Sequence, residues 1–366
     1  HVRTVTSGKV DGMEIGAICD RNPERKDLFP EIPFYEKAGD LISSDKVDAV
    51  IVATPHYDHT SLGIQALESG KHLLVEKPIS VHKADCEKLI AAHKSDSIVF
   101  SAMFNQRTDP RYIKLKELID NGELGEITRT NWIITNWFRT QAYYDSGGWR
   151  ATWHGEGGGV LLNQCPHNLD LFQWICGMPN KVRAFCGIGK RHTIEVEDEV
   201  TAYLEYPNGA TGVFVTTTGE APGTNRLELC GDRGKIVVEN ANISFVRNEV
   251  GQTEYLRTSK QRFAVPSHWN CEIPVGGGGG KHAQVIQNFV DAIADQAPLI
   301  APAEDGIHSV ELANAMLYSS ITEATVELPL DGGAFEQMLE KLVGESTFRK
   351  KVVEDVEGDL SASFNN

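Results

Sequence analysis

VDAVIVATPHYDHT, residues 47–60, is the stretch on which the reading of the fold turns. Val47 to Thr54 is a nearly unbroken run of β-branched and small apolar residues, the pattern of a strand covered on both faces, as in a parallel sheet. The same grammar repeats around it. Met13 to Cys19 reads as a strand ending in the turn cluster Asp20-Arg21-Asn22-Pro23. Thr60 to Ser69 reads as a helix stopped by Gly70, His72 to Val75 as a strand, Ser80 to Lys94 as a helix, and Ile98 to Phe104 as the closing strand. Strands separated by helices make βαβ units, so residues 1–105 are expected to form an α/β domain with a parallel sheet.

After Asn105 the pattern changes. Asp109-Pro110 starts a helix that Gly122 ends. Strand-like stretches then follow one another: Glu126 to Phe138, Lys181 to Gly187, Glu199 to Tyr206, Ala210 to Thr218, and Arg226 to Glu239. Pro207-Asn208-Gly209 and Gly231-Asp232-Arg233-Gly234 are turns between or within them. Consecutive strands without helices predict a large open antiparallel sheet, so residues 106–330 are read as an α+β domain. Helices over His282 to Asp295 and Glu304 to Ser320 either pack on that sheet or return to the first domain. Residues 331–366 are read as a C-terminal arm.

A chain of 366 residues favours two domains over one. No apolar run reaches the roughly 18 residues of a membrane span. The net charge of -16 argues against nucleic acid, whose phosphates need clustered Lys and Arg. The seven cysteines are scattered and never spaced as CxxC, which fits reduced thiols in a cytoplasm. No secretion signal opens the stretch.

In an open parallel sheet, ligands bind beyond the carboxyl ends of the strands. Four motifs fall at four successive strand ends: Asp20, Thr54-Pro55-His56, Glu76-Lys77-Pro78 and Asn105-Gln106-Arg107. Asp20 suits both ribose hydroxyls of an adenosine, which favours NAD, whereas Arg21 beside it suits the 2′-phosphate of NADP. The glycine fingerprint GxGxxG is expected about 20 residues before that acid. That distance runs off the start, so the sequence is read as beginning inside the first helix, without the first strand and its phosphate loop. Lys77 is a compact cation able to hold a substrate oxygen, in a turn whose proline admits a cis peptide. The run Gly276 to Gly280 with Lys281 lacks the P-loop spacing and reads as a flap or hinge.

The second constellation is GGGVLLNQCPHNLD, residues 157–170. If helical throughout, Asn163, His167 and Asp170 share one face, though Pro166 would interrupt such a helix. His167 can take a proton from an alcohol whose carbon loses hydride. His154, Glu156, Cys165 and His167 match no standard metal-site spacing, and no metal is assigned. The segment Trp132 to Trp153 is rich in aromatic rings, which serve either a sugar face or the core of a sheet. Arg107, Tyr144, Trp153, His154, Asn163 and Asp170 are the expected substrate-binding residues.

EKP at 76–78, TPHYDH at 54–59, NQR at 105–107, the GGG…N…H…D run and the HAQVIQNFVDAI helix from His282 together resemble the Gfo/Idh/MocA oxidoreductases, in order, from His1 to about Leu330. The resemblance implies an N-terminal Rossmann domain binding NAD(P) and a C-terminal domain whose open sheet forms a homo-oligomer interface. It implies that Lys77 is the catalytic lysine and His167 the proton acceptor or donor. It places Asp20, Thr54, Pro55, His56, His59 and Glu76 along the cofactor and Trp149-Arg150 at its nicotinamide end, with Asn105 and Arg21 added from the strand-end reading. Asn163 stands where the family commonly has Asp, and His1 resembles the histidine that often follows the glycine loop. The implied activity is hydride transfer with a secondary alcohol of a sugar, cyclitol or glycoside, including oxidation at glycoside C3. Two alternatives are a recycled NAD that permits glycoside cleavage or epimerisation through a 3-keto intermediate, and a non-catalytic sugar or redox sensor.

Overall fold

In the computed structural model, which describes residues 1–351, the chain divides into two compact units. Among the described residues, the first holds 1–109 and 279–310, and the second holds 110–278 and 311–351. The continuous domain expected over 106–330 is therefore corrected. It is interrupted by a return to the first unit, and the first unit runs on to Asp109. Of the arm expected over 331–366, residues 352–366 lie outside the described residues.

The first unit is built on Ala49–Val52 (β3), His72–Val75 (β4) and Phe100–Ala102 (β5), paired in parallel in that order. A shorter parallel pair joins Ile18–Cys19 (β1) to Phe34–Tyr35 (β2). Only these two residues of the stretch Met13–Cys19 form a strand, because only they find a ladder partner. Period-two alternation sends Val50, Val52, Leu73 and Val75 to one apolar cluster, and Leu74 with its neighbour Ile51 to another. Both faces of the sheet therefore need covering. Helices His56–Glu68 and Lys83–Ala92 contribute Ala66, Leu67, Cys86 and Leu89 to the first cluster. Helix His282–Asp295 contributes Val285, Ile286 and Phe289 to the second. That burial is what draws residues 279–310 out of the second domain.

The second unit carries a nine-stranded sheet, drawn from Ile127–Ile134 (β6), Lys181–Ile188 (β7), Glu197–Glu205 (β8), Thr211–Thr217 (β9), Asn225–Gly231 (β10), Gly234–Glu239 (β11), Asn242–Asn248 (β12), His268–Ile273 (β13) and Val326–Glu327 (β14). Their spatial order is β13-β12-β11-β10-β6-β9-β8-β7-β14. The sheet is mixed rather than antiparallel: β6 and β9 run parallel, since two other strands separate them along the chain. Arg226–Glu239 is a hairpin of two strands, closed by the turn the sequence indicated. One face is filled by Trp132, Phe172 and Phe214, stacked at 5.9 Å between successive ring centroids. On the other, Ile133, Phe185 and Tyr203 are exposed. Trp132 thus answers to the core, not to a ligand.

Candidate active site

Side chains in or beside the turns brace three of the four strand-end motifs of the first unit. Helix His56–Glu68 begins one turn earlier than the sequence pattern indicates, with Pro55 as its N-cap, and carries His56 and His59 in its first turn. His59 is 1% exposed, and its ring nitrogens lie 2.7 Å from Pro78 O and 2.8 Å from Thr54 O. It ties the Thr54 turn to the Lys77 turn, a brace beneath the edge rather than the cofactor contact expected. Burial lowers its pKa, with the two carbonyls acting in the opposite sense.

Lys77 sits beyond β4, joined to Pro78 by a cis peptide. Its backbone N–H donates to Glu76 Oε2 at 3.1 Å, while Glu76 Oε1 lies 2.8 Å from the His1 ring. Burial alone would raise the Glu76 carboxyl. The His1 contact, Lys77 and His282 outweigh it and bring the pKa down to about 2. The Lys77 ammonium therefore leaves from a turn whose neighbour is a carboxylate at any working pH.

Beyond β5, Asn105 donates to Gly280 O, and its buried Oδ1 has no hydrogen-bond partner among the described residues. Arg107, expected at the substrate, is 2% exposed and donates to Asp305 Oδ2 at 2.8 Å and to Ile300 O at 3.3 Å. It holds the strand end to residues 300–305 rather than a substrate. Asp20 is exposed just past β1, its Oδ1 accepting from Asn22 N at 2.8 Å. Arg21 makes two 3.0 Å hydrogen bonds to Asp58, which compete with any 2′-phosphate.

A dinucleotide fits these residues. Asp20 offers an exposed acceptor to a ribose, and the orphaned Asn105 Oδ1 is a buried acceptor that a hydroxyl donor would satisfy.

In the second unit, the glycine run at 157–159 lies against β8. A Cβ on Gly159 would meet Glu197 O at 1.9 Å, so only glycine permits the approach. Glu197 Oε1 accepts from Gly159 N at 2.8 Å and Leu161 N at 3.1 Å. The helix that follows is Pro166–Cys176, with Pro166 at its first position, where the missing N–H costs nothing. His167 is half-buried in the first turn. Asn163 precedes the helix, so the shared face expected for Asn163, His167 and Asp170 does not form. Asp170 is 0% exposed and accepts from Gln173, within the core rather than at a substrate.

Asn163 belongs instead to a polar network that the sequence reading missed. Its amide donates to Glu156 Oε1, and its Oδ1 accepts from Tyr143 OH and from Gln164 Nε2, both at 3.2 Å. Tyr143 OH accepts in turn from Arg150 Nη1 at 3.0 Å. The Arg150 guanidinium lies 4.6 Å from the Trp149 ring centroid and 5.0 Å from that of Tyr143, within cation–π range. Glu156 Oε2 accepts the Ala151 amide at 2.6 Å. Burial raises the Glu156 carboxyl, opposed by its hydrogen bonds and by Arg150 and Lys350.

Tyr144, expected at the substrate, is buried with its hydroxyl on Thr218 Oγ1 at 2.7 Å. Trp153 is buried as well, and His154 is exposed. A signal for Tyr143 was present: adjacent tyrosines rarely both point into a core, and the sequence alone did not say which does.

The chain matches two family models: the NAD-binding Rossmann fold of an oxidoreductase family over residues 3–104, and the GFO/IDH/MocA C-terminal domain over residues 112–237. A levoglucosan dehydrogenase of Pseudarthrobacter phenanthrenivorans is 25% identical, over 85% of this chain and 89% of its own. A myo-inositol 2-dehydrogenase of Thermotoga maritima is 28% identical, over 84% and 88%. Among solved structures, the WlbA dehydrogenase of Bordetella pertussis, in complex with NADH and UDP-GlcNAcA, shares the fold with a TM-score of 0.75 at 23% identity, over 90% of this chain and 95% of that one.

Proposed function

Since this chain belongs to the Gfo/Idh/MocA oxidoreductases, an NAD-binding family, we propose that it moves a hydride to or from a secondary alcohol of a sugar, cyclitol or glycoside. The observation that carries the reading is Lys77 itself, an ammonium at the carboxyl edge of a Rossmann sheet, in a turn clamped by Glu76 and His59. The relatives named for levoglucosan and inositol support the substrate class.

The bound nicotinamide supplies the hydride acceptor or donor. The protein supplies the rest. Asp20 accepts from a ribose, and Arg21, occupied by Asp58, leaves the balance with NAD over NADP. Lys77 holds the reacting hydroxyl and offsets negative charge on its oxygen as the carbonyl forms. His167 takes the hydroxyl proton in oxidation and returns it in reduction. Trp149 and Tyr143 present half-buried rings that suit the C–H face of a pyranose, which favours a hexose or glycoside, C3 oxidation included. A homo-oligomer through the open sheet face and a cytoplasmic setting complete the reading.

Lys77→Ala and His167→Ala are each expected to lower turnover roughly a thousandfold while NAD still binds. The measurement is a panel of sugars, cyclitols and glycosides assayed by both cofactor absorbance and product mass. Full turnover in either variant defeats the assignment. Product release from an aryl glycoside without net NADH would transfer the reading to the recycling mechanism.

A further inference from the structure

Directly after helix Gly332–Glu345, a five-residue segment closes two ties on the loop 146–156. Lys350 Nζ donates to Arg150 O at 2.7 Å and to Ser146 O at 3.4 Å. Ser346 Oγ donates to Glu195 Oε2, and Glu195 Oε1 accepts the Trp153 amide at 2.9 Å. The segment thus grips the loop near its start and, through Glu195, at its middle.

That loop is one that local preferences would not hold. Gly147 and Ala151 have φ of +64° and +59°. The left-handed region costs an L-residue about 1–2 kcal/mol, so Ala151 keeps it only under tension from its partners. Glu156 supplies one restraint from within by accepting the Ala151 amide. Lys350 supplies another from outside, on the carbonyl of the residue just before. The peptide so fixed is the one from which the Arg150 side chain leaves to stack on Trp149 and to donate to Tyr143.

We propose that Ser346–Lys350 is a strap for this loop and that Lys350 is a positioning residue, setting Trp149 and Arg150 for the sugar and the nicotinamide end of the cofactor. The inference rests on the proposed role of Trp149 and Arg150, and it adds a residue about 200 positions away along the chain.

The test uses the full chain with Lys350→Met, which keeps the aliphatic stem and removes the donors, and Lys350→Arg, which restores donors. Hydrogen–deuterium exchange is read on peptides covering 143–156 and 1–105, alongside steady-state kinetics. For Lys350→Met, exchange is expected to quicken in 146–156 and to stay unchanged in 1–105. kcat/KM is expected to fall about tenfold, mainly through KM for the sugar, since small displacements of a binding group have effects of this order. Lys350→Arg is expected to return both readouts to within about threefold of the parent.

Unchanged exchange in 146–156 overturns the strap. Quickened exchange with KM and kcat untouched overturns the positioning role. A fall in kcat alone, matched by a lower melting temperature and not rescued by arginine, makes Lys350 merely structural. The exchange measurement needs no turnover, so a failure of the proposed reaction, read from Lys77→Ala, is told apart from a failure of the strap.

Discussion

Two regions of this protein bury carboxyl groups and treat them in opposite ways. At the strand ends of the first unit, Glu76 lies against His1, with Lys77 adding positive charge, and its pKa drops to about 2. Beneath the glycine run of the second unit, Glu197 is buried, its hydrogen bonds come from backbone amides and Glu156 adds a like charge, and its pKa rises to about 7. Both are glutamates at strand ends. Burial pushes each one upward, so depth does not separate them; their neighbours do, His1 and Lys77 lowering Glu76 while Glu156 raises Glu197 further. The first region therefore keeps the Glu76 carboxylate across the working range, whereas Glu197 in the second responds to pH near neutrality.

The largest test of this contrast is Glu197→Gln. The Glu197 pKa rises on folding from 4.5 to about 7, so the folded state binds its proton more tightly than the unfolded state. The associated stability is complete below pH 4.5 and is lost as pH rises through about 7. At pH 9 the parent carries a penalty of up to about 3 kcal/mol that glutamine, with its own acceptor oxygen for Gly159 and Leu161, does not carry. Urea unfolding from pH 4 to pH 9 should show the variant's advantage open between pH 4.5 and 7 and stay level above that. An advantage of equal size at every pH would mean that ionisation is not its origin.

A smaller test sits in the other region. Arg107 is buried and donates to Asp305, whose side chain is 41% exposed. Removing one partner of a fully buried pair costs about 3–5 kcal/mol because the other charge is stranded. Here Asp305 can turn to water, so Arg107→Ala is expected to cost about 2 kcal/mol, with NAD affinity changed only as far as the Asn105 turn loosens. Measuring the melt and the NAD titration together checks this. A loss of sugar binding with full stability would instead restore Arg107 to the substrate.

What the sequence disclosed follows the same division. The parallel strands of the first unit were legible because a strand covered on both faces leaves a continuous apolar run, as Val47 to Thr54 does. The grouping of the turns at their ends was legible because a doubly wound sheet puts successive βα turns on one edge by topology alone. Which residues at that edge face outward was not. His59 and Arg107 are polar, yet they satisfy carbonyls and a carboxylate inside the unit, partners up to 198 residues away. In the second unit β6 to β11 were legible, but not β12, β13 and β14, nor the parallel β6–β9 pairing, which is a matter of tertiary placement. Pro166 was read as a break in a helix and proves to be its start, because proline marks both and only the residues upstream decide. The burial of Glu156 and Glu197 was not legible, since nothing in their neighbourhood along the chain announces it.

The smallest effect discriminates most finely. Tyr143 and Tyr144 are adjacent, yet Tyr144 donates to Thr218 inside the unit while Tyr143 joins the network of Arg150, Asn163 and Gln164. Tyr144→Phe strands a buried threonine hydroxyl and is expected to cost about 1 kcal/mol in stability with kinetics intact. Tyr143→Phe removes an acceptor from Arg150 and a donor from Asn163. These groups lie nearer to solvent, so stability should move by less than about 1 kcal/mol while KM for the sugar rises several-fold. Thermal melts and Michaelis curves on the two variants decide between them. If the kinetic cost falls on Tyr144 and the stability cost on Tyr143, the division between core and site in this unit is drawn on the wrong side of one peptide bond.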